Sequence, residues 1–119
     1  IIISGETTSY KPPAEPTFLP LGSLLVKLKG GGRFLKTTIQ LMLSEPAAAA
    51  YLSTRIIEVK DIVLTELQEL TVQDMKKSNS REALRKRLKS AISQILPSKP
   101  EWGDPDPIRK VLFEEIVIQ

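Results

Sequence analysis

The chain has 119 residues with 41% hydrophobic and 26% charged side chains, and its formal net charge is +3. This length and composition suit one globular domain with a single core. The absence of cysteine and histidine excludes disulfides, thiolate metal sites and the commonest general base.

The first part of the chain is rich in proline and reads as a linker. Four prolines lie between Ser4 and Pro20, separated by Ser, Thr and Glu, and such a composition does not build a core. We therefore expect a linker over residues 1–19 and a folded domain over 20–119. The chain opens "III" without a methionine, which is typical of a fragment. The three isoleucines are either the end of a membrane helix or a cloning remnant.

The next segment predicts a β-hairpin. Apolar residues alternate with other residues over 24–29 and again over 34–43, and this period of two is typical of strands. Gly30–Gly32 lie between the two runs and are expected to supply the positive φ values of the turn. A phosphate-binding loop is disfavoured because no Lys-Ser/Thr follows the glycines and no helix begins there.

Three helices are predicted after the hairpin. The first is one long helix over 44–70, with Ser44 as N-cap and Pro46 in the first turn. A short helix follows Thr71, which has Asp74 three residues later as in a capping box. The third covers 81–96 and has Asn79 and Glu82 as a second cap pair.

The last strand is predicted from about Ile108 to Gln119, and both of its faces are mainly apolar. Strict alternation places one set of residues on one face: Leu112, Glu114, Ile116 and Ile118. Glu115 then points the opposite way from Glu114. A strand with two apolar faces is expected to be central in the sheet or to lie in a subunit interface. The predicted fold class is α+β, a mostly antiparallel sheet with two main helices packed on it.

The strongest charge feature lies between Lys76 and Lys89, which hold seven positive residues and one negative residue. One interpretation is a contact surface for an acidic protein partner or a neighbouring subunit. The alternative is a basic module that binds nucleic acid or an anionic surface through helix 81–96, although no aromatic residue nearby could stack on bases. The candidate contact residues, together with the last-strand set, are Arg81, Arg85, Lys86, Arg87, Lys89, Leu112, Glu114, Ile116 and Ile118.

No motif predicts catalysis or a bound cofactor. The chain has no Gly-x-Ser-x-Gly nucleophile motif, and Asp104 and Asp106 lack the further oxygen ligands and closing Glu of a calcium loop. The prolines around these aspartates favour a rigid turn. We therefore expect no catalytic, cofactor or metal site.

Four stretches, taken in order, resemble the FliL family of flagellar basal-body-associated proteins. The ending "VLFEEIVIQ" resembles the terminal strand of that family, and "GRFLK" resembles the second half of its hairpin. The positions Asp61, Leu67, Thr71 and Asp74 resemble its central helix and the step that follows, and "SREALRKRLKSAISQIL" resembles its next helix. The departures, such as Lys27 for Asn and Ser80 for Gly, lie at capping and turn positions.

The resemblance implies a bacterial, non-enzymatic protein held in the inner membrane by an N-terminal helix that precedes this chain, with residues 20–119 as its periplasmic domain. It implies a fold similar to stomatin/prohibitin (SPFH) domains. The implied partners are the flagellar stator ion channel of MotA/MotB type, at the periplasmic part of its B subunit, and further copies of the chain in a ring. Nucleic acid is not an expected partner, and the implied role is support of flagellar rotation, swimming and swarming.

Overall fold

The computed structural model describes residues 15–119. Residues 1–14, which hold most of the predicted linker, lie outside the described residues. Over the described residues the sheet has three strands, β1 (Thr17–Lys27), β2 (Phe34–Leu43) and β3 (Ile108–Ile118), in the order β1-β2-β3. Both pairs are antiparallel, so the predicted α+β class with an antiparallel sheet is confirmed.

The predicted hairpin is formed by β1 and β2. Gly30 and Gly32 have φ values of 79° and 64°, which residues with a side chain rarely adopt; Gly31 does not share this conformation. Strand β1 begins at Thr17, which pairs with Leu43, so residues 17–19 of the predicted linker are strand residues. An irregularity between Pro20 and Gly22 lies in this edge strand, where a residue without an N–H is tolerated.

Strand β3 is an edge strand in the described residues, so of the two predicted alternatives the central position is wrong and the subunit interface stays a prediction. Within residues 15–119 it pairs with β2 alone, and the register shifts so that Thr38 faces Glu115 while Ile39 faces Phe113. Glu114 is therefore the extra residue of a β-bulge, which interrupts strict alternation.

The bulge also makes the predicted division of β3 into two faces wrong. Phe113, Ile116 and Ile118 all pack against the core, whereas the two glutamates are exposed. We expected Glu114 and Glu115 to lie on different faces of β3, with Glu114 beside Ile116 and Ile118. This expectation is not met, because the extra residue of the bulge shifts the alternation of faces by one position.

The predicted long helix is in fact two helices, α1 (Pro46–Ser53) and α2 (Ile56–Gln68). Between them Arg55 leaves the helical conformation, with φ −119° and ψ 29°. Thr54 Oγ1 donates to the Tyr51 carbonyl at 2.7 Å, and the Arg55 guanidinium lies 3.9 Å from the centre of the Tyr51 ring. These local side-chain contacts compete with helix continuation.

The remaining helices are α3 (Val72–Lys76) and α4 (Ser80–Ser93). Thr71 and Asp74 form the predicted capping box. Asn79 occupies the predicted N-cap position of α4 but makes no side-chain cap hydrogen bond. The predicted position is therefore right and the predicted capping contact is wrong.

The start of α1 differs from its prediction in the residue that caps it. Pro46 lies in the first turn as expected, but the N-cap position belongs to Glu45. Ser44 is buried, and its hydroxyl is bonded to Asp104. The predicted N-cap therefore serves a tertiary contact.

The core lies between the helices and one face of the sheet, with side chains such as Leu41, Leu52, Val63, Leu88 and Ile92 fully buried. In the described part of the chain the other face of the sheet is uncovered, and we call it the open sheet face. It exposes four large apolar side chains: Phe18, Leu25, Phe34 and Val117.

Candidate interaction surface

A groove of about 490 Å³ lies between α4 and the outer edge of β3. We call it the basic groove, because five of its eight lining residues are cationic and one is acidic. It is lined by Glu82, Arg85, Lys86, Lys89, Arg109, Lys110, Val111 and Leu112. The helix and the strand, which are far apart in the chain, therefore build one charged surface.

The amphipathic pattern of α4 places its cations beside β3. Leu84, Leu88 and Ile92 recur every four residues and are buried in the core. Arg85, one residue after Leu84, reaches the strand edge: its Nε donates to the Val111 carbonyl at 3.3 Å. Its guanidinium also lies 5.6 Å from the centre of the Phe113 ring. Arg85 therefore covers part of the edge of β3 in addition to carrying charge.

Three of the five predicted basic residues form ion pairs within the domain. Arg85 pairs with Glu82 at 3.1 Å in the same helix. Lys89 pairs with Asp106 at 3.1 Å, which ties α4 to the loop before β3. These two cations line the groove, but their charge is partly neutralised.

Arg87 points away from the groove, to α2. Its Nε lies 2.6 Å from Glu66 Oε1. Arg81 and Lys86 are exposed and have no ion pair within residues 15–119. The structure thus spreads the predicted basic set over two sides of α4, and Lys86 is the predicted residue that adds unneutralised charge to the groove.

The predicted last-strand set is also divided. Leu112 is half-buried and lines the groove, whereas Ile116 and Ile118 pack on the core. Glu114 is exposed and accepts a hydrogen bond from Gln40 Nε2 at 2.8 Å. As contacts for a partner, all nine residues remain predictions.

Sequence reasoning missed the two cations that β3 adds to the groove, Arg109 and Lys110. Two adjacent charges at the start of an apolar strand were the available signal. Lys110 is exposed and forms no ion pair in the described part of the chain, whereas Arg109 is paired with Asp104.

Asp104 is the anchor of the loop that leads into β3. It is 3% exposed and accepts hydrogen bonds from the Ser44 hydroxyl, from Arg109, and from the Asp106 amide at 2.9 Å. Burial acts to raise the pKa of Asp104, but these hydrogen bonds and the Arg109 charge outweigh it and hold the pKa below its ordinary value of 3.8.

The aspartates of this loop thus make internal contacts of the kind expected for a rigid turn. Within residues 15–119 no three metal-ligating side chains come together. Over the same residues, no helix has the length and hydropathy that crossing a lipid bilayer requires.

The fold and the groove define a small α+β domain with a basic surface groove. Residues 18–119 match the family model described as "Flagellar basal body-associated protein FliL". The chain belongs to this family and is a flagellar basal-body protein, which confirms the resemblance seen in its motifs. A comparison with curated proteins finds no match.

Proposed function

We propose that this chain is a non-enzymatic scaffold that associates with the flagellar stator ion channel and supports rotation during swimming and swarming. The observation that carries the proposal is the match to the FliL family over residues 18–119. We further propose that several copies form a ring around the stator and that the fold is similar to stomatin/prohibitin domains.

The proposed setting is the periplasm, with the domain held at the inner membrane by a segment that precedes it. In that position the partner is the periplasmic part of the stator B subunit. The basic groove supports this proposal because it offers unneutralised charge at Lys86 and Lys110 beside an apolar side chain, Leu112. Protein interfaces combine charge complementarity with a desolvated apolar centre in this way.

A nucleic-acid role is not favoured by the same geometry. Binding of phosphates depends on cations that are free to replace counterions. Arg85, Arg87 and Lys89 are already committed to carboxylates of the domain, which reduces the charge that α4 can offer to a polyanion.

The proposal is tested by co-purification of the tagged, membrane-anchored protein from motile cells in mild detergent. We expect stator subunits to be recovered with the wild-type chain and to be reduced with the double variant Lys86→Glu, Lys110→Glu. The matched control is Lys27→Glu, Lys36→Glu, which makes the same change in charge on exposed sheet residues. Recovery of the wild-type chain without stator subunits would contradict the proposed stator role.

A further inference from the structure

We infer that the basic groove of one copy receives the exposed start of α2 from a second copy, in a head-to-tail contact. The inference rests on the proposed function in one respect, namely that copies of this chain associate. It adds the two surfaces that meet, which neither the family match nor the motifs assign.

The first surface is centred on Ile57, which is 82% exposed, the most exposed of the large hydrophobic side chains in the described part of the chain. Glu58 and Asp61 are also exposed, and helical spacing places all three side chains on neighbouring positions of one helix surface. We call these three residues the acidic knob. Neither carboxylate forms an ion pair within residues 15–119.

Two cations lie near the acidic knob in sequence, and neither forms an ion pair with it in the described residues, although Arg55 lines the same shallow depression as the knob. The guanidinium of Arg55 is held over the Tyr51 ring at 3.9 Å and donates to Thr54 Oγ1 at 3.2 Å. Helical spacing places Lys60 on the opposite flank of α2 from Glu58, and Lys60 forms no ion pair with either carboxylate.

The second surface, the basic groove, complements the knob in charge and in polarity. Its cations Arg85, Lys89 and Arg109 are paired with Glu82, Asp106 and Asp104. Lys86 and Lys110 are therefore the two groove cations without an ion pair in residues 15–119. The knob offers two unpaired carboxylates.

The apolar parts of the two surfaces also match. Leu112 is half-buried and borders the groove at the edge of β3, where it shares a sheet face with its partner Gln40. The Ile57 side chain would leave water against Leu112, because Val111 is only 1% exposed. The charged pairs would then surround an apolar centre, which is the arrangement of a specific protein contact.

The separate positions of the two surfaces are compatible with a head-to-tail assembly. The knob is on α2 and the groove is between α4 and β3, so one patch meets a different patch on the neighbour. Such a heterologous contact leaves a free knob at one end and a free groove at the other, and it propagates until a ring closes. A two-fold dimer that made the knob–groove contact twice would stop at two copies, and sedimentation velocity distinguishes it from a growing assembly.

The test uses the full chain and two charge-reversed variants. The knob variant is Glu58→Lys, Asp61→Lys, and the groove variant is Lys86→Glu, Lys110→Glu. Self-association is measured by sedimentation velocity, and by the same chain carrying an N-terminal histidine tag on nickel-chelating lipid vesicles, which concentrates copies at a surface. Circular dichroism verifies that each variant is folded.

We expect the wild-type chain to associate and each variant alone to associate at least about tenfold more weakly, because like charges then face each other. A one-to-one mixture of the two variants should associate again, since the lysines of one then meet the glutamates of the other. Lys27→Glu, Lys36→Glu is the control that matches the groove variant in charge change, and it should behave as the wild-type chain.

The outcomes separate this inference from the proposed function. The knob–groove contact is wrong if the variants associate as well as the wild-type chain, or if the one-to-one mixture does not regain association. In either case a ring built on other surfaces stands. If the wild-type chain stays monomeric in solution and on vesicles, both the contact and the ring are wrong. Recovery of stator subunits with the wild-type chain tests the stator role separately. Reduced recovery with the groove variant does not, because that variant also removes the contact between copies; the knob variant, whose groove is unchanged, distinguishes the two causes.

Discussion

Arg87 of α4 and Glu66 of α2 join the two main helices, with Nε and Oε1 2.6 Å apart. Their side chains are 44% and 28% exposed, so the contact is partly screened by solvent. It removes Arg87 from the set of cations that can meet a partner and places it among the contacts that hold the helical layer together.

Replacement of Arg87 by alanine should therefore lower stability and leave self-association nearly unchanged. We expect a loss of about 0.5–1 kcal/mol in the free energy of unfolding, the range of a partly exposed ion pair. Urea unfolding measures it, and a double-mutant cycle with Glu66→Ala isolates the pair. The control is Lys86→Ala, which has no ion pair in the described residues and should change stability by less than about 0.5 kcal/mol.

Asp104→Asn should be among the most destabilising single substitutions in the loop before β3. The buried carboxylate accepts hydrogen bonds from Ser44, Arg109 and the Asp106 amide. In asparagine one carboxylate oxygen is replaced by an NH2 group, which would face these donors and could not accept from them. We expect a loss of about 2–4 kcal/mol by chemical unfolding. Asp106→Asn removes an exposed acceptor two residues away and should cost far less; equal costs would contradict an anchoring role for Asp104.

The lowered pKa of Asp104 also predicts a dependence of stability on pH. A carboxyl whose folded-state pKa lies below its unfolded value stabilises the fold above the unfolded pKa. That contribution is lost as pH falls through the folded pKa. Stability should thus decrease from about pH 5 downward, and Asp104→Asn should reduce the slope of that decrease. Urea midpoints between neutral and acid pH measure the slope; an unchanged slope in the variant would be inconsistent with this pKa.

Two of the three helix starts predicted as capped, those at Thr71 and Asn79, should respond differently to alanine. Thr71→Ala removes the hydroxyl that accepts from the Asp74 amide at 3.1 Å and should cost about 1 kcal/mol. Asn79→Ala removes a side chain that makes no cap hydrogen bond and should cost only a few tenths of that. Thermal unfolding of both variants tests the difference, and equal losses would show that Asn79 caps α4 in solution.

The bulge at Glu114 determines which residues of β3 support the core. Ile116→Ala should cost about 1–3 kcal/mol because Ile116 packs on the core. Val117→Ala should cost less than about 0.5 kcal/mol, since Val117 is 41% exposed on the open sheet face. Unfolding free energies of both variants test this, and the reverse order would indicate that β3 pairs without the bulge.

Removal of residues 117–119 should destabilise the domain although β3 is an edge strand. It deletes Ile118 from the core and both backbone hydrogen bonds between Phe34 and Gln119, at 2.8 and 3.0 Å. It also deletes the contact of Arg33 Nε with the Gln119 carbonyl at 2.9 Å. We expect partial or complete unfolding by circular dichroism, whereas a folded truncated chain would show that these contacts contribute little.

Several elements were predictable because their signals are local. The alternation around Gly30–Gly32 predicted the hairpin, Thr71 and Asp74 predicted a capping box, and the apolar run after Ile108 predicted a strand. The division of the predicted long helix at Thr54 and Arg55 was not, since it depends on how those side chains meet Tyr51. A helical pattern that continues on both sides conceals a break of two residues.

Only the part of the candidate surface that lies on α4 was predictable, because only its signal is local in the sequence. Lys86 was found because it lies in a basic run, but Arg109 and Lys110 come from a strand that only the fold brings beside α4. Ser44 and Asp104, 60 positions apart, carried no joint signal in the sequence.

By itself the sequence determined the α+β class, the order of the elements and the family, because periodicity, turn residues and short motifs are properties of neighbouring residues. Only the tertiary structure decided that β3 is an edge strand with a bulge, that Arg87 serves the fold while Lys86 faces the groove, and that α4 and β3 form one surface. Those features depend on packing between segments distant in the chain, and a side chain's role follows from the neighbours that packing gives it.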